Sequence, residues 1–133
     1  MDVREATKSD YPAIAAVYNA AYPADSYRTT AADIQQWDES LSPRYKSRRL
    51  VAWVEESVVG VVHAFIPLDH YHPQKFAFFF AVHPSHQGRG IGAGLYDHFL
   101  VRLRDDDPIS LRTMARDDMQ TGIRFLTTRG YAE

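Results

Sequence analysis

The chain has no cysteine. That excludes a disulfide framework, a thiolate metal site and any covalent intermediate held on a thiol of this protein. Long apolar runs are missing too: the longest, Phe76 to Val82, is far short of the ~20 residues a membrane-crossing helix needs. The opening residues Met1-Asp2-Val3-Arg4-Glu5 lack the apolar core of a secretory signal, so a cytoplasmic location without a membrane partner is expected. Nor is there an excess of either charge. With 15 basic and 17 acidic residues and a net charge of -2, the chain carries no electrostatic footprint for nucleic acid. A length of 133 residues predicts one domain with one core.

Glycine is sparse, but its placement is not even. Of seven glycines, Gly88, Gly90, Gly92 and Gly94 fall within one short stretch between an apolar run and a helical pattern. A glycine-rich turn that opens a helix exposes main-chain N–H groups and the positive end of the helix dipole, which together suit a phosphate or pyrophosphate. Close packing of helix on strand would explain one such glycine but not four. Gly88-Arg89-Gly90-Ile91-Gly92-Ala93 also satisfies GxGxxG/A, the dinucleotide fingerprint. That motif belongs to the first unit of a parallel sheet, whereas this one follows an antiparallel hairpin with little chain left for further parallel strands. A P-loop would need a Lys-Ser or Lys-Thr after the glycines, and none follows.

The surrounding pattern alternates strand and helix. Val3 to Ala6 reads as a strand, and Ile14, Val17, Tyr18 and Ala21 recur at helical spacing until Pro23. Ala24 to Thr29 reads as a loop, and Thr30 with Asp33 as a capping box before a helix through Leu41. Arg49 to Glu55 and Val58 to Ile66 predict a hairpin turning on Glu56-Ser57. Phe76 to Val82 is apolar at both parities, the pattern of a strand covered on both faces. Ile91, Leu95, Phe99 and Leu103 form one helical stripe, Ile109 to Met114 a strand, and Thr121 to Thr128 a last helix closed by Gly130.

The stretch from Phe80-Ala81-Val82-His83-Pro84 through Gln87-Gly88-Arg89-Gly90-Ile91-Gly92 resembles the acetyl-coenzyme A motif of the GNAT N-acetyltransferases. That family's Gln/Arg-x-x-Gly-x-Gly/Ala pattern falls on Gln87, Gly90 and Gly92, and its Val-x-Pro element on Val82 and Pro84. The resemblance implies an α/β (mixed α+β) acyl-CoA N-acyltransferase fold: a mixed, mostly antiparallel central sheet flanked by helices. It implies acetyl-CoA as cosubstrate, no metal, and a small-molecule or peptide amine as acceptor. Phe80, Ala81 and Val82 would pair with the pantetheine arm as an added strand, and Gln87 with Gly88 through Ala93 would hold the pyrophosphate. Arg89 either adds charge there or is a solvated side chain at a helix start.

Three departures from the family pattern stand out. The usual acid on the central strand is missing, which leaves Asp69, His70, His72, His63, Glu55 and Glu56 as candidate bases and assigns none. Leu126 and Met119 stand where many members have a tyrosine and an asparagine. Family members usually continue past the glycine–aromatic pair into further strands, whereas Gly130-Tyr131 is followed only by Ala132 and Glu133. The expectation is a single GNAT domain that is truncated, begins a longer tandem protein, or has its sheet edge covered by a second copy or domain. Acceptor contacts are sought among Tyr22, Asp25, Tyr27, Arg28, Trp37, Asp69 and Tyr71. Two functions follow: an N-acetyltransferase acting by direct attack of the amine, or a non-catalytic acetyl-CoA-binding sensor or assembly domain.

Overall fold

The computed structural model describes residues 1–69, 71–115 and 118–132. Five strands, β1 (Asp2–Glu5), β2 (Ser47–Val54), β3 (Ser57–Phe65), β4 (Lys75–Val82) and β5 (Ser110–Arg112), lie in that order across one sheet. The first four are antiparallel to their neighbours and β4–β5 is parallel. Helices α1 (Tyr11–Ala21) and α2 (Ala31–Ser40) cover one face; α3 (Ile91–Leu103) covers the other, with α4 (Gln120–Thr128) beside it. The expected mixed, mostly antiparallel sheet flanked by helices is therefore what forms. No helix among the described residues is long and apolar enough to cross a membrane.

Local chemistry sets the element ends. Asp10, only 4% exposed, accepts from both terminal nitrogens of Arg4 (2.8 and 2.9 Å) and from the Thr7 N–H (2.8 Å), which ties β1 to the start of α1. Hydrogen bonding from Arg4 outweighs burial and holds the Asp10 carboxyl below its usual range. Pro12 in the first turn of α1 has no N–H to waste, and Pro23 stops the helix. Thr30 and Asp33 form the expected reciprocal cap of α2. At the end of α4, Gly130 (φ 91°) donates to the Thr127 carbonyl and Tyr131 to that of Leu126, the paired bonds of a Schellman cap.

Several expected boundaries shift by a residue or two, and two of the shifts have a visible cause. The β2–β3 hairpin turns on Glu55-Glu56, both at positive φ (50° and 66°), because Val54 pairs with Ser57 and places the tip one residue earlier. β5 is shorter than Ile109 to Met114, since the parallel ladder ends at Ala77–Arg112 and the Thr113 hydroxyl then donates to the Phe78 carbonyl at 2.7 Å in place of a backbone group. β4 is the fourth strand of five rather than the central one, and it is covered on both faces as its composition predicts. Phe76, Phe78 and Val82 join the core under α3, and Ala81 the core under α1. Within it only Phe79 and Phe80 are half-exposed, and each borders a cavity.

Candidate active site

Along a strand, the N–H and C=O of one residue point to the same edge and those of the next to the opposite edge. Four bonds fix the parity of β4. Carbonyls of Gln74, Phe78 and Val82 accept from Ile109 N–H, Thr113 Oγ1 and Gln87 Nε2, all on the β5 side. The N–H of His83 donates to Val59 of β3 at 2.8 Å. Even-numbered residues therefore face β5. Beyond Ala77 the two parallel strands part, so alternation turns both polar groups of Phe80 and the N–H of Val82 toward the opening. Ala81, in the middle of the expected trio, faces β3 in register with Val61 and contributes only its methyl group to the α1 side.

A cleft of about 450 Å³ occupies that opening, lined by Phe80, Ala81, Val82 and Gln87, by the end of α1 at Ala20–Pro23, and by 118–122 at the start of α4. Met119 stands at the N-cap of α4 without a side-chain cap bond. Phe80 stacks its ring on Phe125 (centroids 5.2 Å apart, planes at 20°) and so forms the floor.

The glycine-rich turn lies at the end of this cleft. Its first helical bond runs from Gly94 N–H to the Gly90 carbonyl (3.0 Å); among the described residues, no N–H from Gly88 to Ala93 meets a backbone acceptor. Gly88 and Gly90 take φ of 78° and 80°, and a Cβ on either would enter open space. The conformation, not crowding, demands glycine there. Gly92 is different: a Cβ there would rest in ordinary contact with Phe80 (3.4 Å), Phe125 and Val82 (both 3.7 Å), so neither crowding nor a left-handed conformation demands glycine at this position. Ile91 is buried and anchors the helix start. Arg89 is exposed and makes no ion pair among the described residues. The Gln87 amide braces the Val82 carbonyl at 2.9 Å, and its own N–H reaches Pro84 at 3.4 Å, so Gln87 shapes the turn. Nearby, His83 Nδ1 accepts from the Ser85 N–H (3.1 Å), a local cap.

A second cavity of about 710 Å³ lies on the α1/α2 face and includes Tyr18, Tyr22, Tyr27, Trp37, His63 and Phe79 in its lining. Tyr22 lines both spaces. Of the expected acceptor residues, Tyr22, Tyr27 and Trp37 are thus brought together, whereas Asp69 borders a neighbouring cavity and pairs with Arg112 at 3.4 Å. Arg28 donates to the carbonyls of Asn19, Pro23 and Ser26 and so pins its own loop. Tyr71 packs on Tyr45 beneath the Arg44 guanidinium. Asp25 lines neither cavity.

Among the candidate bases, Glu55 and Glu56 are exposed at the hairpin tip, His72 Nδ1 accepts from the Gln74 N–H, and His70 lies outside the described residues. His63 is 6% exposed, opposite Arg49 in the β2–β3 register. Arginine can only donate, so the contact from Arg49 (3.4 Å) makes Nδ1 the acceptor and leaves Nε2–H to donate to Ser47 Oγ at 2.8 Å. Both ring nitrogens are used. Burial first, then the Arg49 charge, push the His63 pKa down to about 3 against the opposing pull of Asp38. Arg49, its side chain 10% exposed, pairs with Asp38 through two bonds (2.8 and 3.2 Å), and Tyr11 donates to the same carboxylate. The bonds from Arg49 and Tyr11 outweigh burial and keep Asp38 below its usual range. Sequence reasoning missed this network; the one available signal was a charged residue, Arg49, entering an apolar strand.

Because the folded pKa of His63 lies below the unfolded value of about 6.5, its contribution to stability is present above that pH and is lost as the pH falls toward 3. In a histidine-detected NMR titration, the His63 ring is expected to stay neutral, protonated at Nε2, from pH 8 to about 5. A midpoint near 6.5 would show that the ring is not enclosed in this way.

The acetyltransferase (GNAT) family model matches residues 7–131. The chain belongs to that family. No curated protein matches it in sequence. Among solved structures, a ribosomal-protein-alanine N-acetyltransferase from Brucella melitensis superposes with a TM-score of 0.80 at 22% identity, over 100% of this chain and 85% of the other. An N-acetyltransferase from Staphylococcus aureus gives 0.78 at 22% over 96% and 81%. An aminoglycoside 6'-N-acetyltransferase from Acinetobacter haemolyticus gives 0.74 at 15% over 100% and 92%. At such identities the likeness shows the fold. Family membership implies acetyl-CoA as cosubstrate, and the unpaired donors of 88–93 beside the open edge of β4 suit a diphosphate joined to an amide-bearing arm.

Proposed function

We propose that this GNAT domain transfers an acetyl group from acetyl-CoA to a primary amine, which attacks directly. The observation that carries the reading is the row of unpaired N–H groups from Gly88 to Ala93 meeting the open β4 edge at Phe80 and Val82. Gly88, Gly90 and the first turn of α3 bind the diphosphate through main-chain donors. Phe80 pairs its N–H and C=O with the amides of the pantetheine arm, and the Val82 N–H serves as the donor to the acyl oxygen. Acetyl-CoA supplies an activated carbonyl with a thiolate leaving group whose thiol pKa is about 8.5, so departure without a phenol at position 126 is tolerable. Leu126 instead packs against the core under α3.

None of the described bases nominated from the sequence lines the cleft at the open β4 edge. His63 has both nitrogens engaged, Asp69 is paired, His72 Nδ1 accepts from the Gln74 N–H, and Glu55 and Glu56 are exposed at the hairpin tip. The ammonium proton therefore leaves through water. Under this reading kcat/KM rises about tenfold per pH unit up to the pKa of the amine itself, and it shifts when amines of different pKa are compared. A profile with a fixed midpoint for every amine would place a base in the protein. The missing phenol also favours a second reading, a coenzyme-binding domain without turnover. Calorimetry with acetyl-CoA, followed by thiol release with an amine panel, separates the two: tight binding with no thiol released from any amine selects the second.

A further inference from the structure

The chemistry of the larger cavity narrows the acceptor, an inference that rests on the acetyl-transfer reading. Trp37 meets Phe65 edge to face at 5.6 Å, and Phe65 meets Phe79 at 5.4 Å, so α2, β3 and β4 present one aromatic wall. Tyr18 and Tyr22, stacked at 5.8 Å with their planes at 5°, contribute from α1. Tyr22 also borders the cleft at Phe80 and Val82, so a molecule lying along this wall can extend its amine toward the acyl carbonyl.

The two basic side chains of the cavity present no free charge. Arg49 is neutralised by Asp38, and His63 is uncharged. Asp33, the only carboxylate among the described lining residues, accepts from the Thr30 N–H (2.9 Å) and the Tyr27 hydroxyl (3.2 Å) through Oδ2 alone and keeps its negative charge. A polycation such as an aminosugar or a polyamine needs an anionic partner for each ammonium that it brings out of water. This cavity offers one, Asp33. A single amine is another matter: ring faces and the one carboxylate attract its cation on approach, and apolar surroundings favour its neutral, nucleophilic form.

We propose that the acceptor is a primary monoamine bearing an aromatic or bulky apolar body, and not an aminosugar or polyamine. In the reaction the amine nitrogen forms the bond to the acetyl carbon, the carbon–sulfur bond breaks, and the proton lost from nitrogen to water is matched by one taken up by the thiolate. The test measures thiol release by the intact chain with 2-phenylethylamine, butylamine, spermidine and kanamycin, each at saturating acetyl-CoA. It is paired with calorimetric binding of 2-phenylethylamine to the protein saturated with CoA. Expected are kcat/KM at least about tenfold higher for 2-phenylethylamine than for each of the others, and a KM raised by a similar factor in Trp37→Leu and Phe65→Leu with acetyl-CoA affinity unchanged. Preference for spermidine or kanamycin, or no difference between the aryl amine and butylamine, overturns the proposal while leaving acetyl transfer standing. Calorimetric binding of 2-phenylethylamine that Trp37→Leu weakens, with no thiol released from any amine, supports the cavity assignment and overturns acetyl transfer.

Discussion

Replacing Gly90 by glutamate is expected to weaken acetyl-CoA binding at least about 100-fold, or ~2.7 kcal/mol, with far-UV circular dichroism unchanged. Gly90 holds φ at 80°, and a Cβ there meets no atom within 4 Å. The substitution therefore clashes with nothing and carries only left-handed strain, about 1–2 kcal/mol, which a folded domain of this size tolerates. Binding is where the damage falls. The new carboxylate stands among the N–H groups of Gly88 to Ala93, accepts from them itself, and repels the diphosphate. Gly90→Ala brings the strain without the charge, so its smaller loss of affinity measures the strain alone. Calorimetry on the three proteins reads both terms. If Gly90→Glu bound as tightly as the parent, the diphosphate would have to lie elsewhere, and the acetyl-transfer reading would lose its support.

Leu95→Ala is expected to destabilise the fold by about 3–5 kcal/mol and to lower Tm by roughly 10 °C or more. Leu95 is 0% exposed in the core under α3, and its Cδ2 lies 3.2 Å from where a Cβ on Gly60 would stand. With no side chain on Gly60 to relax into the space, the truncation leaves a cavity. The same contact seats α3 on β3, and α3 carries at its N-terminus the donors proposed to hold the diphosphate, so under that proposal stability and binding are linked through one helix. Acetyl-CoA at 100 times its Kd should return about 2.7 kcal/mol to the variant, readable as a ligand-dependent rise in Tm. A loss under about 1 kcal/mol in denaturant unfolding would contradict this seating of the helix.

The cradle was legible because its parts lie within a few residues of one another. A strand apolar at both parities, the Val82-x-Pro84 element and the alternating glycines prescribe a strand, a turn and a helix start whatever the remainder of the chain does. Capping residues worked equally well at Thr30 and Gly130, where the bonds span three to five residues. The hairpin tip missed by one, since two glutamates in left-handed conformations hardly announce a turn. The end of β5 depended on a side chain, Thr113, taking over a backbone position on β4, which no strand propensity encodes.

The sequence alone determined the proposed coenzyme cradle, because main-chain donors are arranged by local φ and ψ, and local φ and ψ follow from glycine, proline and apolar period. Only tertiary structure decided the amine end. Trp37, Phe65, Phe79 and Tyr18 come from four elements and form a wall only when the sheet is assembled. His63 turns from candidate base into an occupied, uncharged ring only when β2 sets Arg49 and Ser47 against it. Whether a polar group is available for chemistry depends on what its neighbours in space have already claimed, and those neighbours are distant along the chain.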